Sequence, residues 1–124
     1  MVAAFLCRAA AALDGYVKGW VGNQVAFALV REQLQDGFAR SSQRGFSTVS
    51  YFHWPSEIRV EIGSCGFEAT RLFGVEGPGW IAPDFDDWWS TPELRRILLE
   101  SARTCEEHPE YQVLSPHLLA FSTR

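Results

Sequence analysis

The run Cys65-Gly66-Phe67-Glu68-Ala69-Thr70-Arg71-Leu72-Phe73-Gly74-Val75-Glu76-Gly77-Pro78-Gly79-Trp80 decides how the chain is read. Gly66 can take the left-handed conformation that closes a helix, alternation makes a strand of 67–75, and Gly77-Pro78-Gly79 breaks it. Phe67, Ala69, Arg71, Phe73 and Val75 fall on one face of that strand. This aromatic face is expected to turn inward, with Arg71 as its exception. Upstream, Trp54-Pro55 opens a helix over 55–65, because proline suits the first helical position and Glu57 favours the positive end of the helix dipole. Ile58, Ile62 and Cys65 are its expected buried stripe. Downstream, the strand His117-Leu118-Leu119-Ala120-Phe121 is expected to pair antiparallel with 67–75.

Farther out, Phe5, Ala9, Leu13, Val17 and Trp20 recur at spacings of three and four and predict a helix over 3–20, weakened by Gly15 and Gly19. Gly22-Asn23 is a turn, Asn23 can cap a second helix over 24–36 with Val25, Leu29, Val30 and Leu34 as its stripe, and Gly37 stops it. The polar stretch 39–45 reads as a mobile loop and 46–52 as a short extended segment. Residues 77–90 read as a loop. Thr91-Pro92-Glu93 starts a helix, with a capping hydroxyl before the proline, that runs through Leu94, Ile97, Leu98, Ala102 and Cys105 toward His108-Pro109. The expected fold is α+β: a helical hairpin and further helices on a small, mainly antiparallel sheet. It forms a single domain, with 1–37 as a helical cap and 46–124 as a helix plus a closing strand pair.

At 124 residues there is room for one core. A net charge of −4 leaves no basic footprint for nucleic acid and no electrostatic pull toward an anionic membrane. Cys7, Cys65 and Cys105 are odd in number and widely spaced, which favours reduced thiols over a disulfide framework or zinc site. Arg8 interrupts the apolar start and no basic residue precedes it, so the reading is a cytoplasmic protein rather than an exported one.

Four stretches arrive in one order and spacing: Tyr51-Phe52-His53 with Pro55 and Glu57, Cys65-Gly66-Phe67-Glu68, Gly74 through Trp80, and Ser115-Pro116-His117-Leu118-Leu119-Ala120. Together they resemble the C-terminal half of class I S-adenosylmethionine-dependent methyltransferases, the small-molecule branch related to the ubiquinone and menaquinone enzymes. The resemblance implies that 1–37 follow the family's fifth strand as a helical cap, that 55–65 match its last helix, and that 67–76 and 117–122 match its final strand pair. The family holds its cofactor on a glycine-rich turn after a strand. No such turn occurs here, so no cofactor residue is assigned and none is expected to bind to this chain alone.

The resemblance puts Tyr51, Phe52 and His53 along a substrate pocket. His53 then reads as a general base near neutral pH or as a histidine packed before its helix, and Tyr51 joins it as a catalytic candidate. Glu76, where a strand gives way to glycines, reads as a cleft carboxylate or a solvated strand end. Trp80 and Trp88 are candidates for an aromatic ligand wall, and His117 for a substrate contact or a packing residue. Asp84, Asp86 and Asp87 lack the spacing of a calcium loop. Two functions follow. The chain is either the substrate-binding half or accessory subunit of a methyltransferase, completed by a partner holding the cofactor, or a cofactor-independent small-molecule binder or cyclase- or isomerase-type enzyme. An uncovered sheet edge is expected in both, and with it a homodimer or a complementary subunit.

Overall fold

In the computed structural model, which describes residues 1–43 and 46–124, one five-stranded sheet collects all the strands. The elements run β1 (Val2–Cys7), α1 (Arg8–Val17), α2 (Gln24–Asp36), β2 (Phe38–Gln43), β3 (Phe46–His53), α3 (Pro55–Ser64), β4 (Glu68–Gly74), α4 (Phe85–Ser90), α5 (Pro92–Cys105) and β5 (His117–Thr123). Single-turn 3₁₀ segments lie at Trp20–Gly22, Gly77–Ile81 and Gln112–Leu114. The strand order is β2-β3-β1-β5-β4. Only β1 and β3 run parallel, so the α+β class with a mostly antiparallel sheet holds.

The local signals around the opening stretch survive. β4 pairs antiparallel with β5, Leu72 opposite Ala120 and Gly74 opposite Leu118. Pro55 begins α3, Glu57 sits in its first turn, and Gly66 has φ 78°. The Asn23 side chain accepts from the N–H groups of Val25 and Ala26, and α2 spans the expected 24–36.

The facing of β4 is corrected, and a bulge is the reason. Glu68 pairs with Thr123 but Arg71 with Phe121, so β4 uses one residue more than β5 there, with Ala69 at φ 49°. The extra residue reverses the alternation. Phe67 packs on the core, but beyond the bulge Leu72 and Gly74 point inward while Arg71 and Phe73 point out. Arg71 is then no exception: it is exposed and paired with Glu107 at 2.7 Å. Phe73 meets the exposed Phe121 edge-on across the outer face.

Other expectations also change. Residues 3–20 are not one helix: Val2–Cys7 form the central strand, and 1–37 is therefore more than a helical cap. The apolar run VAAFLC serves a strand buried between neighbours as well as it serves a helix, and tertiary pairing decides. Residues 39–43 belong to β2, paired with β3 from Phe38↔Tyr51 to Gln43↔Phe46; Arg44 and Gly45 of the expected loop lie outside the described residues. The stretch 77–90 contains a 3₁₀ turn and α4 rather than a loop. Cys65 is exposed, as are Val25 and Leu29 on α2 and Ile97 on α5. The Thr91 hydroxyl donates to Asp87 O instead of capping α5.

The core gathers Cys7, Ala10, Ile58, Ile62, Leu72, Leu118 and Ala120, with α3 packed on the inner face of the sheet. The parallel pair is short, limited to Leu6↔Phe52 and Cys7↔His53. Arg8 fastens it. This side chain is 4% exposed, and its Nε donates to Phe52 O at 3.0 Å. Its Nη2 donates to Tyr51 Oη at 3.0 Å and to both Glu57 carboxylate oxygens at 2.8 and 3.0 Å. Gly37, at φ 83°, closes over this node. A Cβ there would lie 2.5 Å from Arg8 Nη2 and 2.8 Å from Phe52 O, so only glycine admits the approach.

Elsewhere along β1 one side is open. Ser122 N donates to Met1 O and Cys7 N to Pro116 O, which turns the odd-numbered residues of β1 toward β5. The backbone groups of Val2, Ala4 and Leu6 face the other way. Leu6 meets Phe52, while Val2 and Ala4 meet no strand among the described residues.

Candidate functional site

β1 and β3 both end in helices on the same side of the sheet, and β5 begins there. Their ends surround a cleft of about 310 Å³, within the range of small-molecule sites. Leu6 and Cys7 come from β1, Ala10, Ala11 and Asp14 from α1, and Gln33 from α2. Phe52 ends β3, Trp80 comes from the 3₁₀ turn after β4, and Pro116 and His117 open β5. Trp20 completes the wall.

His117 and Glu76 stand together here because the β4–β5 ladder extends past Gly74. Val75 N donates to His117 O at 3.0 Å, which sets Glu76 beside the start of β5. The Glu76 carboxylate accepts from His117 N at 3.1 Å and binds His117 Nδ1 through its other oxygen. Gly77 N donates to Ser115 Oγ at 2.8 Å, seating the glycine turn, and Trp80 Nε1 donates to Leu114 O at 2.6 Å, fixing the indole. In the neutral ring, an Nδ1 proton held by Glu76 leaves Nε2 as the nitrogen free to accept. This is the arrangement a general base requires: an oriented imidazole with one free nitrogen beside an apolar space.

The candidates read from the sequence divide. Phe52, Trp80 and His117 meet in the cleft, with Glu76 bonded to His117. Tyr51 and His53 do not join them, since alternation along β3 turns them to the opposite face from Phe52. There they line a hollow with Ser56, Glu57, Val60 and Glu61. His53 Nε2 pairs with Glu61 at 3.1 Å, and its buried Nδ1 has no partner among the described residues. Trp88 lies apart, in a groove with Ile81, Ile97 and Leu98.

Gln33 escaped the sequence reading. It is 7% exposed, it lines the cleft, and its Nε2 has no hydrogen-bond partner among the described residues. Its signal was a polar residue one turn past Val30, the other buried residue of α2.

Cys7 also lines the cleft, but its thiol is buried. Burial pushes its thiol pKa up, only partly offset by backbone hydrogen bonds, with the Glu76 charge adding to the rise. All three cysteines are free, so brief iodoacetamide treatment of the native protein is expected to label exposed Cys65 and spare Cys7 until denaturant is added. Native labelling of Cys7 at the rate of Cys65 would contradict its burial.

The strand-to-helix junctions Cys7-Arg8 and His53-Trp54-Pro55 contain no glycine, and the Arg8 guanidinium is committed to Glu57. They do not fit the phosphate or carboxylate cradle of a nucleotide cofactor. Among the described residues no cluster could hold a metal ion, and no helix is long and apolar enough to cross a membrane. No family model, curated protein or solved structure matches the chain.

Proposed function

We propose that this chain is the substrate-binding half of a small-molecule methyltransferase, working with a partner that supplies the S-adenosylmethionine site. The observation that carries the reading is the Glu76-oriented His117 at the mouth of the cleft. Three of the four stretches that bear the resemblance contribute to that cleft, through Phe52, Trp80 and Pro116-His117, which supports it further. The chain's own part is to bind and orient an apolar substrate and to receive its proton at His117 Nε2. The unpaired backbone of Val2 and Ala4 favours a partner that adds a strand beside β1, either a second copy or a complementary subunit.

Calorimetric titration of the purified chain with S-adenosylmethionine, with its mass in solution measured alongside, tests this. The expected result is no cofactor binding by the chain alone and self-association at micromolar concentration. Ala4→Pro should return the chain to a monomer, because it removes an N–H on the open side and leaves the β5 ladder intact. Tight cofactor binding by the lone chain would sink the split-enzyme reading, and a monodisperse wild-type monomer would remove self-association. A cofactor-independent binder or isomerase is the second reading. It is favoured by the His117–Glu76 pair and the buried Gln33 amide on the cleft, polar groups that can bind a ligand or move a proton without a cofactor.

A further inference from the structure

We propose that the cleft selects a flat, uncharged ring system carrying an N–H or O–H donor and a carbonyl acceptor, and rejects anions. This deepens the reading of the cleft as a substrate site and rests on it.

The shape and the charges point the same way. Phe52 and Trp80 offer ring surface, and because the indole N–H of Trp80 is spent on Leu114 O, that side chain offers its apolar body rather than a donor. Leu6, Ala10 and Ala11 add apolar wall without charge. Among the described residues no cationic side chain lines the space. Asp14 stands on its wall with its carboxylate held by Lys18 at 2.8 Å, and Glu76 stands behind His117. An anion entering here would leave water to face two carboxylates with no cation of its own.

The polar demands are equally specific. Gln33 Nε2 is a buried donor without an acceptor among the described residues, and an unmade hydrogen bond of this kind is costly. A ligand carbonyl satisfies it. His117 lines the same cleft, and with Glu76 on Nδ1 its Nε2 is the nitrogen left to accept. A ligand N–H or O–H satisfies that. A planar lactam or hydroxy-heteroaromatic ring carries both groups on one edge, whereas a carboxylate carries acceptors alone.

Tryptophan fluorescence separates the cases, with carbostyril as a neutral fused-ring lactam and quinaldate as an anion of similar ring size. Carbostyril is expected to bind the wild-type protein and quinaldate to bind at least about tenfold more weakly. Gln33→Met, which keeps the length of the side chain but removes the donor, should weaken carbostyril about tenfold. Thermal unfolding of that variant shows whether it folds. If it does not, Asp14→Asn on the cleft wall tests the same selectivity by raising quinaldate affinity relative to carbostyril. No carbostyril binding by the wild-type chain, or quinaldate binding as tightly as carbostyril, overturns the proposal. The readout is binding without any cofactor, so its failure is distinguishable from failure of the methyltransferase reading.

Discussion

Glu57→Ala is expected to lower the unfolding free energy by about 3–5 kcal/mol, the cost of stranding a buried charge. Arg8 is almost wholly buried, and both Glu57 oxygens receive its Nη2. Glu57 also accepts from Trp54 N at 2.9 Å, so its removal uncaps α3 as well. The remaining partners of the guanidinium, Phe52 O and Tyr51 Oη, are neutral. Because the parallel pairing of β1 with β3 is two residues long, loosening this node frees the β2–β3 hairpin from the sheet. Glu57→Gln, which keeps the acceptor for Trp54 N, should cost less. Arg8→Met combined with Glu57→Ala should recover part of the loss, since neither charge is then stranded. Urea unfolding of the single and double variants measures this. Equal losses for Glu57→Ala and the double variant would show that the cap, and not the buried charge, dominates.

Leu118→Ala is expected to cost about 2–5 kcal/mol, as for other large-to-small changes in a close-packed core. Leu118 is 0% exposed, sits opposite Phe5 on β1 and Gly74 on β4, and belongs to the core that α3 covers. Gly74 has no side chain with which to fill the void, so collapse around it is limited. Phe121 is the control: it lies on the same strand but is exposed on the outer face, and its replacement by alanine should cost far less. The check is the urea midpoint at unchanged slope. Similar losses at 118 and 121 would mean that Phe121 is covered as well, against its exposure.

What the sequence disclosed follows the reach of each signal. Asn23, Pro55, Glu57 and Gly66 act on backbone within a few residues of themselves, and each was legible. The β4–β5 pair was legible because sharp breakers stand on both sides of β4 and Pro116 stands directly before β5. The strand identity of Val2–Cys7 was not, since it depends on β3 and β5, both far along the chain, while Phe5, Ala9 and Leu13 happen to keep helical spacing. The bulge at Ala69 was equally hidden, because one inserted residue leaves composition untouched and reverses every later side chain. At the site, His117 and Glu76 were each visible as candidates, but their union requires the ladder to continue through Val75, which no spacing rule supplies.

The sheet is held at its centre by a strand that precedes its neighbours in the chain and is completed only by the last of them, β5. The Met1 amine reaches Ser122 O at 2.7 Å across 121 positions of sequence. During synthesis the apolar run of β1 therefore leaves the ribosome well before β5 exists to pair with it. Loop closure over such a distance comes late and slowly. Until then, Val2–Cys7 is an exposed hydrophobic segment of the kind that chaperones bind and that neighbouring nascent chains can capture. Holding this strand apart until β5 emerges is a demand the fold places on the cell that makes it.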